Sequence, residues 1–183
     1  LRILGVDEVG RGCFAGPVVA VAIILKDGFT DTRIIDSKKI PENRRPIVAE
    51  LIRENLIDFG IGVVCPTIID KINILNATKQ AMHLAISKIK TDYDKIVIDA
   101  VKLKNLPTVS ESPIKAEDKY IAVAAASIFA KVYRDDIMKK LHYQHPQYDW
   151  YKNKGYGTKT HIDAIKKFGP TPLHRLSFLK GIL

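Results

Sequence analysis

The segment Arg2-Ile3-Leu4-Gly5-Val6-Asp7-Glu8-Val9-Gly10-Arg11-Gly12 decides how the chain is read. Residues 2–7 have the apolar run of a buried strand. That run closes on two adjacent carboxylates and then on glycines that permit a tight turn. A buried strand ending on acids puts them at the carboxyl edge of a sheet, where ligands bind in α/β folds. A second such strand, Lys95-Ile96-Val97-Ile98-Asp99, ends the same way. If the two are neighbours, Asp7 and Asp99 face each other across one strand spacing. Two ionised carboxylates that close repel unless one is protonated or a cation lies between them. Ligation by carboxylates alone suits hard ions such as Mg²⁺ or Mn²⁺. A pair of such ions can drive phosphodiester hydrolysis, one activating water and the other stabilising the leaving oxygen. Adjacent strand residues point to opposite faces, so Asp7 and Glu8 are expected to share a site only through a break in the pleat near Gly10 and Gly12.

Outward from this segment, Val18–Leu25 reads as a second, fully buried strand and 57–64 as a third, closed by Pro66. Asp36-Ser37-Lys38-Lys39 is turn-like. A helix is expected from Pro41 to Asn55, with Ile47, Val48, Leu51 and Ile52 on its apolar face, and another over 73–89, with Leu75, Met82, Ala85, Ile86 and Ile89 as its core stripe. A short strand is expected over 113–115. The longest helix, 120–141, carries the small-residue stretch Ala122–Ala126, which admits close approach of another element. The remainder reads as a loop over 146–157, a helix over 160–168 and a coiled tail. Strands adjacent in sequence, followed by strand–helix alternation, predict an α/β fold with a mixed central sheet. Glu117 and Asp118, just before the long helix, fit the ordinary role of acids at a helix N-terminus.

Composition narrows the function class. The 183 residues are 46% hydrophobic and 27% charged, which excludes a disordered chain and allows one domain with a small helical appendage. The longest apolar run, Val18–Leu25, is too short to cross a bilayer, and no leader-like pattern opens the sequence. Two cysteines, Cys13 and Cys65, build neither a disulfide framework nor a zinc site, so a reducing, cytoplasmic setting is expected. The spacing of His142, His145, His161 and His174 fits no compact metal motif and favours structural roles, and Arg134-Asp135 reads as a structural ion pair. The net charge of +9 is uneven: from Lys131 onward, 11 Lys and Arg face four Asp, leaving the first 130 residues nearly neutral. Such a basic segment suggests a polyanion, nucleic acid ahead of a membrane surface, with a solvated helical face as the plain alternative. Gly10-Arg11-Gly12 allows backbone to approach a sugar–phosphate while Arg11 pairs with phosphate. Tyr156, in a Lys/Gly-rich loop, reads equally as loop packing or as a platform for a base or sugar.

Read together, these residues resemble a family. Gly5-Val6-Asp7-Glu8-Val9-Gly10-Arg11-Gly12 is similar to the N-terminal active-site motif of bacterial and archaeal ribonuclease HII. The likeness continues through Gly16-Pro17-Val18-Val19, Asp36-Ser37-Lys38-Lys39, the segment from Asn73 to Thr78, Ile98-Asp99 and the segment from Ala125 to Val132. It closes with Arg134-Asp135, Gly155-Tyr156 and the tail from Gly169 to Phe178, so it spans essentially the whole chain.

The resemblance implies an RNase H-like catalytic domain over 1–143, with a helical extension over 144–183 packed on it as one unit. It implies a monomeric, Mg²⁺- or Mn²⁺-dependent endonuclease that hydrolyses the RNA strand of RNA·DNA hybrids and cleaves 5′ of single ribonucleotides in duplex DNA, leaving a 3′-hydroxyl and a 5′-phosphate. Asp7, Glu8, Asp99 and Glu117 would be its catalytic, metal-holding acids. Glu117 departs from the family's usual Asp; neighbouring residues at a helix start point about 100° apart, so Glu117 is preferred to Asp118. Gly10, Arg11 and Gly12 would sense the ribose 2′-hydroxyl, the group that distinguishes a ribonucleotide from its DNA neighbours. Tyr156 would stack near the ribonucleotide, and Ser37 and Lys38 would contact phosphate. Arg175 is placed within reach of DNA. Ribonuclease HIII, which carries Glu at the fourth position, is the related alternative, and the Gly-Arg-Gly loop speaks against it. A non-catalytic binder of RNA·DNA duplexes is the alternative from another class.

Overall fold

A computed structural model describes residues 1–183. Its centre is a five-stranded mixed sheet of order β3-β2-β1-β4-β5, from β1 (Ile3–Val9), β2 (Val18–Leu25), β3 (Leu56–Val64), β4 (Lys95–Ile98) and β5 (Ser110–Glu111). The pairs β1–β2 and β2–β3 are antiparallel, whereas β1–β4 and β4–β5 are parallel. Between them run α1 (Arg45–Asn55), α2 (Pro66–Ile72) and α3 (Ile74–Ser87), and after β5 come α4 (Ile121–His142), α5 (Trp150–Asn153) and α6 (Lys159–Phe168). The fold is the expected α/β class.

Both sheet faces are covered, which is why every residue of β2 is buried. One face sets Leu4, Val6, Ala20 and Ile24 against Ala77, Ala81 and Met82 of α3. The other sets Val21 and Ile23 against Val48 and Ile52 of α1 and Ala125, Ile128 and Phe129 of α4. Helix α4 lies almost on the backbone of β1: a Cβ at Gly5 would overlap the main chain of Ala122 and Val123. The alanine stretch and Gly5 are therefore complementary halves of one contact.

Several expectations are corrected. Helix α1 begins at Arg45 rather than Pro41, because a longer helix would place Pro46 in its interior without an N–H to donate. Pro66 does not merely stop β3 but starts α2, at a position where no N–H is required. The last strand is Ser110–Glu111, not 113–115; Pro113 accepts from Ala100 N at 3.1 Å but has no N–H to continue a ladder. Ile47 and Leu75 are exposed, lying one position off the buried stripes of their helices. The 146–157 stretch holds α5 and a 3-10 turn over Pro146–Tyr148. Asp135 pairs with Lys131 at 2.9 Å, not with Arg134.

The C-terminal residues gather around Tyr148, Trp150, Ala164, Ile165 and Leu179, which pack on Ala15 and on Met138 of α4. Buried among them is a histidine chain whose tautomers follow from its partners. Thr171 N donates to His174 Nδ1 at 2.9 Å, so His174 Nε2 carries the proton and donates to His161 Nε2 at 3.0 Å. Trp150 Nε1 donates to that same His161 nitrogen at 3.1 Å, which leaves His161 Nδ1–H to donate to the Tyr156 carbonyl at 2.8 Å. Both rings are therefore neutral and structural. Burial lowers the pKa of both, His174 from 6.5 to about 4. The unfolded chain thus binds protons that the folded one refuses. Stability is fully present above pH 6.5 and falls as pH drops toward 4. Urea denaturation across that window should show the loss, on the order of 3 kcal/mol at most from His174, and His174→Gln should flatten the profile.

Candidate active site

The parallel register carries β1 and β4 forward together, with Val6 beside Ile98 and Asp99 N donating to the Val6 carbonyl at 3.2 Å. Asp7 and Asp99 therefore emerge side by side at the carboxyl ends of adjacent strands. Asp7 projects on the α4 side of the sheet, and β1 continues in register through Glu8 and Val9. The expected break in the pleat is absent. Glu8 reaches the same cleft from the opposite side of the strand, because β1 ends just beyond it.

That cleft has a volume of about 560 Å³. Its walls include all ten residues singled out from sequence: Asp7, Glu8, Asp99 and Glu117, the loop Gly10-Arg11-Gly12, Ser37 and Lys38, and Tyr156. Glu117 arrives on a 3-10 turn over Ala116–Asp118, and Ala116 N donates to Asp99 Oδ1 at 2.9 Å. Neither acid of that turn caps α4, whose N-cap is Tyr120. Asp118 turns away and pairs with Lys39 at 3.3 Å, so Glu117 is the one that faces the cleft. Asp36 caps the 3-10 turn Ser37–Lys39 by accepting from Lys38 N at 3.1 Å. The Ser37 and Ser127 hydroxyls are hydrogen-bonded to each other at 2.9 Å, and both residues line the cleft. Tyr156 lies beneath the ammonium of Lys131, 5.6 Å from its ring centroid; burial pushes its phenol up to about 12, so it stays protonated.

Sequence reasoning overlooked Arg45, Ser127 and Lys131, which also line the cleft. The four-residue spacing of Ser127 and Lys131 on α4 was a signal for one shared face. Arg175 is corrected outright: it is fully buried and bonded to backbone carbonyls, out of reach of DNA. Lys154 is likewise buried, its Nζ donating to Tyr151 O and pairing with Glu42 at 3.1 Å.

The acids stand in electrostatic tension. Burial, then the charges of Glu8 and Asp99, raise the Asp7 pKa well above the ordinary carboxylate range, and burial followed by Asp99 raises that of Glu117. Partial relief comes from Glu8 N, which donates to Asp7 Oδ1 at 2.8 Å, from Ala116 N on Asp99, and from Arg11, whose Nη1 lies 3.8 Å from Glu8 Oε1. Glu8 Oε2 and Glu117 Oε2 are buried with no hydrogen-bond partner. Four oxygen-bearing anions, two of them with orphaned atoms, fit a hard divalent cation. No three of the side chains are gathered at ligation distance around one point; rotation of the two glutamates, whose Oε2 atoms nothing holds, is the movement that would gather them.

The architecture is that of a type 2 ribonuclease H. It superposes on the ribonuclease H2 of Pyrococcus horikoshii OT3 with a TM-score of 0.83 at 23% identity, covering 100% of this chain and 97% of that one. It also matches a Bst ribonuclease HIII solved in complex with Mn²⁺, with a TM-score of 0.72 at 18% identity over 100% of this chain and 69% of that one. A sequence model of ribonuclease HII matches residues 4–180. The ribonuclease HII of Caldanaerobacter subterraneus subsp. tengcongensis is 48% identical over 181 residues, 99% of this chain and 75% of that protein, and that of Bacteroides fragilis is 47% identical over 175 residues, 95% and 87% respectively. The chain belongs to the ribonuclease HII family. It is thus a ribonuclease H, a hydrolase of phosphodiester bonds.

If the carboxylates destabilise one another, removing one charge should stabilise the metal-free protein. Asp7→Asn in EDTA should raise Tm by roughly 2–4 °C for each kcal/mol of repulsion relieved, while Mn²⁺ should raise Tm of the unsubstituted chain more than that of the variant.

Proposed function

We propose that the chain cleaves the RNA strand of RNA·DNA hybrids, and cuts 5′ of a single ribonucleotide in duplex DNA, in the cleft at the ends of β1 and β4. The observation that carries this reading is the convergence on one cleft of four carboxylates with a glycine-flanked arginine and a tyrosine. Asp7, Glu8, Asp99 and Glu117 would hold Mg²⁺ or Mn²⁺. When bound, such ions activate water and neutralise charge on the leaving oxygen, giving 3′-hydroxyl and 5′-phosphate ends.

The remaining residues bind and orient. Arg11, partly exposed at the rim, pairs with a phosphate; the Gly10–Gly12 backbone, having no side chain at either glycine, comes close enough to meet a ribose hydroxyl. Ser37 and Lys38, which line the same cleft, take phosphate, and the Tyr156 ring offers a flat surface to the sugar. Residues 1–143 supply the catalytic body and residues 144–183 the extension that carries Tyr156. In this reading the protein works as a monomer in the cytoplasm; no helix is long and apolar enough to cross a membrane.

Asp7→Asn should lower kcat by about a thousand-fold or more while leaving duplex affinity within a few-fold, since the acid is needed for chemistry rather than for holding DNA. Cleavage assays on a single-ribonucleotide duplex and an all-RNA·DNA hybrid should both give product. Efficient cleavage of the hybrid alone would favour a ribonuclease HIII-like specificity, and undiminished turnover by the variant would refute the assignment of the site.

The exposed lysines of the C-terminal part, Lys152, Lys159, Lys166 and Lys167, form the surface expected to meet the DNA backbone. Titrations at several salt concentrations should show log K falling against log[salt] with a slope of about −3 to −4, as expected for that many phosphate contacts. A flat dependence would reduce these charges to a role in solubility.

A further inference from the structure

Two arginines of this chain are completely buried, and neither has a carboxylate partner. Arg134, on α4, donates to the carbonyls of Ala15, Pro17 and Lys154 at 2.8, 2.8 and 2.6 Å. Arg175, in the C-terminal tail, donates to the carbonyls of Gly16, Arg11 and Gly10 at 3.0, 2.9 and 2.6 Å. Both have no exposed surface. A buried guanidinium without a counter-ion is costly, so these two are conspicuous. Neither touches the cleft directly as a substrate ligand would, and the reading above gives them no task.

The direction of the bonds from Arg175 supplies one. Two of its three acceptors are the carbonyls of Gly10 and Arg11, which belong to the two successive peptide groups of the Gly10-Arg11-Gly12 loop. All peptide bonds in the chain are trans, so in each group the N–H points away from the C=O. Pulling both oxygens inward onto one planar guanidinium turns the N–H groups of Arg11 and Gly12 away from the protein interior. Neither of those N–H groups donates to any atom of the protein. Gly10 itself is at φ 87°, and a Cβ there would overlap the Arg134 guanidinium beneath it, so the loop can rest on the two arginines only because residue 10 is glycine.

We propose that Arg175 is a positioning residue, which by holding the Gly10 and Arg11 carbonyls presents the Arg11 and Gly12 N–H groups to the cleft as a preformed pair of donors for the ribose hydroxyl or phosphate oxygen of the bound strand. The inference rests on the proposed function for what the donors meet, but not for how they are held. A lysine cannot substitute, because an ammonium is a point charge and cannot satisfy three fixed carbonyl directions with a planar fork. The positive charge of Arg175 is retained at neutral pH even though burial lowers its pKa to about 10, and it further polarises the two peptide groups toward donation. The tail residue before it, His174, anchors the histidine chain that ends on the Tyr156 carbonyl. One short tail segment thus braces both walls of the cleft that would face the ribonucleotide.

The test begins without substrate. Amide NMR spectra of the unsubstituted chain, Arg175→Lys and Leu179→Ala should be compared; Leu179 is a buried neighbour in the C-terminal cluster that makes no bond to the loop. Arg175→Lys should displace the Arg11 and Gly12 amide signals, whereas Leu179→Ala should leave them in place even if it lowers Tm as much. Unmoved signals in a folded Arg175→Lys would overturn the proposal. A readout that needs no variant is exchange of the Arg175 side-chain N–H protons, which should be slow; fast exchange would also overturn it. With a single-ribonucleotide duplex, Arg175→Lys should lose about 10- to 100-fold in kcat/KM, and Arg175→Ala should recover part of its loss on adding millimolar guanidinium ion but not urea. Displaced loop amides with undiminished cleavage would leave the positioning standing and overturn the reading of the loop as a substrate contact.

Discussion

Mutual repulsion among carboxylates at the ends of β1 and β4 is the constraint around which this protein is organised. The parallel pairing of those strands puts Asp7 beside Asp99, and the 3-10 turn that follows β5 adds Glu117 through the hydrogen bond from Ala116 N to Asp99. Burial makes the charges of Asp7 and Glu117 costly and pushes both groups toward protonation. An apolar sheet sandwiched between helices on both faces keeps them from relaxing apart. Gly5 is central to that restraint, because it lets α4 settle on the backbone of β1 and bring Ser127 and Lys131 to the same cleft.

Opposite the acids sits an arrangement of the reverse sign. Arg134 and Arg175 lie under the Gly10-Arg11-Gly12 loop, saturated by carbonyls rather than carboxylates. Their charge is therefore not cancelled locally, and it biases the loop toward anions. The cleft thus has a floor suited to cations and a wall suited to phosphate, a few residues apart along β1. A strand bearing phosphodiesters needs both. Of the basic surplus in the C-terminal part, Lys152, Lys159, Lys166 and Lys167 lie on the exterior, whereas Lys154 and Arg175 are buried and bonded internally.

Much of this could be read from the chain alone. The strand that ends in Asp7-Glu8 and the one that ends in Asp99 were recognisable because an apolar run closing on an acid is unusual, and the ten residues chosen from motifs meet in one cleft. The boundaries expected at Pro41 and Pro66 differ from those observed, because a ring's position within a first helical turn, at Pro46 and Pro66, and not its mere presence decides where a helix starts. Ile47 and Leu75 were assigned to the core because helical periodicity tolerates an error of one residue, and only the neighbouring sheet fixes the stripe. Arg134 and Arg175 were misjudged for a deeper reason. Their partners are backbone carbonyls distant in sequence, and a carbonyl leaves no trace in the identity of the residue that carries it. The Arg134-Asp135 pair looked like a salt bridge precisely where adjacency on a helix sends the two side chains in different directions.

Asp7, Glu8, Asp99 and Glu117 are proposed to act together as one cation site. Anomalous diffraction from crystals soaked in Mn²⁺ tests it most directly. Mn²⁺ peaks are expected in the cleft between these four residues, with the unpartnered Oε2 atoms of Glu8 and Glu117 turned onto the ions. A cleft without Mn²⁺ density at millimolar concentrations, or ions bound with Glu117 turned away, would contradict it.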